Sequence, residues 1–174
     1  MIDLQKLLTD KTLKPKQKTE TLCQFLIDKK LSITELIEFA EPAKDPIKAT
    51  CIEALEFITQ KQPELLDKTA FAFVTNALTA KAPRIKWECA KVIGNTAHIH
   101  SLYLDEAIKL LLLNTKHEGT VVRWSAAFAL TQILKLKTLH NTYLLNELTQ
   151  ICELEEKDSI KKIYLKGFKE LGKG

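Results

Sequence analysis

Apolar residues recur along this chain at a spacing of four. The short pattern they make returns four times at an almost constant distance. DPIKATCIEALEFI begins at 45, PRIKWECAKVIGNT at 83, TVVRWSAAFALTQI at 120 and DSIKKIYLKGFKEL at 158. Aligned, they place Ile47, Ile85, Val122 and Ile160 at one position, with steps of 38, 37 and 38 residues. Four residues on come Cys51, Cys89, Ala126 and Tyr164, and four further on Leu55, Ile93, Leu130 and Phe168. Spacings of i, i+4 and i+8 describe one apolar stripe of an α-helix. LKPKQKTETLCQFLI, from 13, is a weaker copy with Leu22 and Phe25 on the stripe.

A second set of helical patterns lies between the copies. SITELIEFAE starts at 32, ELLDKTAFAFVTNAL at 64, SLYLDEAIKLLLLN at 101 and NTYLLNELTQICEL at 141. Ser32 with Glu35, and Ser101 followed by Asp105 and Glu106, are helix-start signals. Pro46, Pro63 and Pro83 sit near first-turn positions, where a missing N–H costs little. With a short opening helix at 2–9, the pattern predicts ten helices in five antiparallel pairs. No long linker divides them, so residues 1–174 read as a single domain. Each pair exposes an apolar face that only its neighbours can cover, which predicts an all-α solenoid. Small residues such as Ala90 and Ala127 would let successive inner helices approach closely.

The repeats carry a turn proline or acid, then a basic residue, then alanines and aliphatics, most clearly in PRIKWECAKVIG and TVVRWSAAFALTQIL. In this they resemble HEAT-like repeats, and the resemblance extends over essentially the whole chain. It implies a right-handed solenoid whose second helices line a concave face. Proteins of this kind act mostly as scaffolds that bind other proteins, and a few bind nucleic acid.

Composition narrows the function classes. Glycine and proline number five each in 174 residues, and no Gly-rich phosphate loop occurs. A net charge of +4 permits nucleic acid without arguing for it. Cys23, Cys51, Cys89 and Cys152 form no CxxC pair and fall in apolar helical patterns. They read as small buried side chains in a reducing compartment. MIDLQKLLTDK is neither a signal peptide nor a membrane span, so a cytoplasmic protein without membrane contact is expected.

The repeats carry two candidate sets of functional residues. Lys48, Lys86, Arg123 and Lys161 recur at one register, with Lys18 in the weaker copy. A cation in a first turn opposes the helix dipole, so it needs a recurring partner. One reading is an inter-repeat ladder to turn acids such as Asp45 and Asp158, or to carbonyls of the neighbouring repeat. The other is a row of cations for phosphates or an acidic partner. Trp87 and Trp124 hold equivalent positions about 200° round the helix from the stripe, which points them to the concave side. With Lys91, Phe128 and Lys135 they form a candidate partner-binding groove. The same rings could stack on bases, or wedge between helices as packing. Lys162, Lys166, Lys169 and Lys173 crowd the last helix, as a solvated cap or an anion contact.

No motif for catalysis emerges. His98, His100, His117 and His140 fall in turns and read as surface residues, with no HExxH or CxxC to complete a metal site. Glu53, Glu56 and Glu88 read as exposed acids of inner helices, and no serine sits in GxSxG. Some HEAT-like proteins are DNA glycosylases for alkylated bases, for which Trp87, Trp124 and Arg123 would supply positioning groups; the concave aspartate is missing. The expected function is therefore a non-enzymatic scaffold that binds a protein or peptide on its concave face, without metal, cofactor or small-molecule substrate. The alternative is nucleic acid binding through Lys86, Arg123, Lys161, Lys162 and Lys166, with an alkylpurine-DNA-glycosylase-like activity as its narrower form.

Overall fold

The computed structural model describes residues 2–172. Ten α-helices follow in order: α1 (Leu4–Thr9), α2 (Pro15–Ile27), α3 (Ile33–Ala40), α4 (Asp45–Thr59), α5 (Lys68–Ala77), α6 (Pro83–Thr96), α7 (Asp105–Asn114), α8 (Thr120–Lys135), α9 (Asn141–Leu154) and α10 (Asp158–Gly172). The limits of α6 and α9 coincide with their sequence patterns. The starts of α5 and α7 are later than expected. Short 3-10 turns at Pro63–Leu65 and Ser101–Tyr103 take up the intervening residues. The start of α5 is set by Asp67, whose carboxylate accepts the Ala70 N–H at 2.8 Å. At α3 the expected capping box is present, with Ser32 and Glu35 satisfying each other's backbone N–H groups.

The helices pair in sequence and the pairs stack into an α-solenoid. Even-numbered helices each pack closely along the next, from α2 to α10, while α3, α5 and α7 touch one another more sparsely. The even layer therefore lies inside the curve. One apolar cluster runs through the stack from Leu4 on α1 to Tyr164 on α10.

Close approach of the even helices depends on small side chains. Ala90, Ala126, Ala127 and Ala129 are all buried. Two glycines set the tightest spots. A Cβ on Gly94 would lie 2.5 Å from Phe128 and 3.2 Å from the Ala129 Cα, and one on Gly167 would lie 2.8 Å from the Thr131 side chain. Neither glycine has a positive φ, so the requirement is for space. Replacing Gly94 with alanine should push α6 from α8 and lower unfolding stability by about 1–3 kcal/mol, read from urea denaturation.

Candidate functional site

The recurring cations act first on helix ends. Three of them leave the first turn of an even helix for carbonyls at or just beyond the end of the preceding odd helix. Lys18 donates to Leu8 O at 2.8 Å. Lys86 donates to Leu78 O at 2.9 Å and Arg123 to His117 O and Glu118 O, both at 3.0 Å. A cation that opposes its own helix dipole thereby satisfies the negative end of its neighbour. Two of them also cross to the next pair. Lys86 donates to the Asn114 side chain at the end of α7, at 2.9 Å. Arg123 grips Glu155, beyond the end of α9, at 3.0 and 3.3 Å. Glu155 is the acid that Arg123 meets, whereas Asp45 and Asp158 occupy the first turns of α4 and α10. Burial pushes the Glu155 carboxyl upward, but the Arg123 hydrogen bond and backbone N–H donors outweigh it and hold it below the usual range. Neither Lys48 nor Lys161 makes a side-chain hydrogen bond or ion pair among the described residues.

The inner face carries a mixed set of charges. Trp87 donates its indole N–H to Glu88 at 2.9 Å, and Lys91 sits 3.0 Å from Glu88 and 3.7 Å from Glu56. Glu56 and Glu88 are buried, contrary to the expectation of exposed acids. They lie beneath Lys91, the cation they share across α4 and α6. Burial raises the Glu88 carboxyl above its ordinary value, and the Lys91 and Trp87 contacts only partly offset that. On α8, Trp124 stacks on Phe128 with centroids 6.0 Å apart, and Phe128 covers Gly94. Trp124 keeps 39% of its surface exposed, while Trp87 is half-buried. Lys135 pairs with Glu170 on α10. The structure thus joins Trp87 with Lys91 through Glu88, and Trp124 with Phe128; Lys135 is held apart, by the last helix.

Sequence reasoning missed a groove of about 660 Å³ between α2 and α4. Cys23 and Ile27 face Glu53 and Phe57 across it, and Arg84 from α6 closes one side. Glu53 accepts from Thr19 at 2.7 Å and from Arg84 at 2.9 Å, tying three helices together. The signal was present in the repeat alignment. Ile27 and Phe57 occupy the register that Asn95 and Gln132 hold in the next two copies. Cys23 lines this groove and is only half-buried, unlike the other three cysteines. Burial, with Glu53 and Glu56 nearby, pushes its thiol up to about 11, so it stays protonated.

The histidines also differ from expectation. His100 is buried, stacks on Phe71 at 4.5 Å and bonds Leu66 O through Nε2 at 2.7 Å. A turn between packed layers is an interior position when its side chain points along the stack. His140 reaches Asp105 at 3.0 Å, again from one pair to the previous one. His117 accepts the Gly119 N–H at 2.8 Å, and His98 is exposed. Lys162, Lys166 and Lys169 are exposed or nearly so on α10, and Lys173 lies outside the described residues. Among the described residues no helix is long and apolar enough to cross a membrane.

The chain matches no protein-family model and no curated protein. Its fold does match solved structures. A designed armadillo repeat protein in complex with the peptide (KR)4 superposes with a TM-score of 0.72 at 15% identity, covering 98% of this chain and 85% of that one. Computationally designed armadillo repeat proteins for modular peptide recognition give 0.72 at 17% identity, covering 96% and 80%. The complex of CpcE and CpcF of phycocyanin lyase from Nostoc sp. PCC7120 gives 0.67 at 15% identity, covering 94% and 96%. These likenesses show a helical-repeat solenoid.

Glu155→Gln would leave the partly buried Arg123 without its counter-charge and should cost about 2 kcal/mol at neutral pH. The native carboxyl titrates below its unfolded value of 4.5. Its contribution is therefore full above that value and is lost as pH falls through the lower, folded one. Urea melts of both proteins at pH 7 and pH 3 should show the gap closing in acid.

Proposed function

We propose that this protein is a non-enzymatic interaction scaffold of HEAT-like character that binds a protein or peptide on the inner face of its solenoid. One observation carries the reading. The inner face keeps large apolar side chains open to solvent, at Phe57 and Trp124, among charges that are already paired with one another. Buried aromatic anchors beside satisfied polar groups are the usual source of protein-binding energy. The armadillo neighbours, whose descriptions name a bound peptide and peptide recognition, support the same reading.

The engaged members of the cation row argue against phosphate as the inner-face ligand. Lys86 and Arg123 are committed to carbonyls, Asn114 and Glu155, so a nucleic acid would have to break the stack to use them. The acids Glu53, Glu56 and Glu88 further interrupt any continuous positive track. Around the inner glutamates the groove lining places one thiol, that of Cys23, and it is protonated, so we read the protein as lacking catalysis. Four free cysteines fit a reducing, cytoplasmic setting.

Two measurements test this. Pull-downs from the cells of origin should recover a partner with the native chain and lose it with Trp124→Ala; retention of every partner by that variant would place binding elsewhere. Fluorescence anisotropy with labelled duplex DNA, single-stranded DNA and RNA should show no binding even at low salt. Micromolar affinity with a steep salt dependence would instead establish the nucleic-acid reading.

A further inference from the structure

Resting on the inner-face reading above, we propose that the groove between α2 and α4 is the partner's seat, and that it takes an acidic amphipathic segment. One large apolar side chain of that segment enters between Ile27 and Phe57, and a neighbouring carboxylate meets Lys61.

Three observations lead there. First, this junction is open where two later ones are filled. Between α6 and α8, Phe128 lies over Gly94, and between α8 and α10, Thr131 lies over Gly167. Between α2 and α4 a groove of about 660 Å³ is open. That volume is in the range of natural ligand pockets and holds more than one side chain.

Second, the floor is apolar on both walls. Ile27 and Phe57 are each 51% exposed although their helices face each other. They share one register of the repeat, so they stand at the same height on successive inner helices. The protonated Cys23 thiol adds a neutral surface between them. An exposed pair of this kind gains most from a single buried anchor.

Third, the charges of the lining select the sign of the partner. Glu53 is held by Thr19 and Arg84, and Glu20 pairs with Lys16 at 3.7 Å. Lys61 has no partner among the described residues. The lining thus carries three cations, Lys16, Lys61 and Arg84, against two acids, Glu20 and Glu53. A carboxylate brought to Lys61 completes a pair. A basic segment would find both acids already engaged, and would repel Lys61.

The pair junction also explains why a cavity survives here. Lys18 caps α1 through Leu8 O, but no described bond carries it on to α3 in the way Lys86 reaches α7 and Arg123 reaches Glu155. The first two pairs are therefore held by apolar packing, by the Thr19–Glu53 bond and by the Cys23 thiol, which donates to Ala54 O at 3.7 Å.

The test uses the full chain. A random dodecapeptide phage library is panned on it, and the leading peptide is made with a fluorescein label. Anisotropy is then measured with the native protein, Phe57→Ala, Lys61→Glu and Trp124→Ala, each shown to be folded by circular dichroism. Phe57 and Lys61 are exposed, so neither change should disturb the core. The expected peptides carry Phe, Leu or Ile beside Asp or Glu. Their affinity should fall at least tenfold with Phe57→Ala. It should also fall with Lys61→Glu and return when the peptide acid is changed to lysine. Basic peptides, acidic peptides indifferent to Phe57→Ala and Lys61→Glu, or no enrichment at all would overturn the proposal. Loss with Trp124→Ala alone would overturn the groove assignment and leave the inner-face reading standing. Binding that survives all three changes would overturn both.

Discussion

No helix pair in this chain covers its own apolar face, and the rest of the structure follows from how neighbours cover it. The even helices must come close enough for side chains on one to fill spaces on the next. Alanines at 126, 127 and 129 and glycines at 94 and 167 make that approach, and a single added carbon at Gly94 has nowhere to go. The inner layer is thereby tightly packed between α6 and α8 and between α8 and α10. Between α2 and α4 a groove remains.

Polar chemistry then stitches the stack at its two edges. On one edge Lys86 and Arg123 tie their own pair's carbonyls to the side chains of the next pair. On the other, His100 reaches Leu66 O and His140 reaches Asp105. Apolar burial supplies most of the attraction, but it is non-directional and would tolerate sliding. The bonds at the edges are directional and fix which pair sits over which. Buried Glu56 and Glu88 do the same on the inner face, through the one lysine they share.

Much of this was legible from residue spacing. Periodicity alone placed ten helices, their pairing and the inner register, because those features depend on residues within one or two turns. The limits of α6 and α9 coincide with their patterns for that reason. The shifted start of α5 has a local cause too, the capping Asp67, but the apolar run beginning at Leu65 masked it. Partners separated by about one repeat were not legible. Arg123 meets Glu155 rather than Asp158, Lys91 meets Glu56 from the previous pair, and His100 turns inward; each depends on the angle between pairs, which no local pattern encodes. The groove lay between these cases. Ile27 and Phe57 broke the polar character of their register visibly, but the gap between their helices is a property of the stack.

Stitching at both edges gives the inner face a fixed pitch from α5 to α10. Adjacent pairs there cannot splay without breaking a bond on one side, nor shear without breaking bonds on both. Successive inner positions, such as Lys91 and Phe128, therefore stand at a set interval like marks on a ruler. A ligand long enough to cross several marks must match them with its own repeat distance, and a flexible one gives up conformational freedom to do so. Length and spacing, more than any single side chain, then become the quantities by which such a surface tells one extended partner from another.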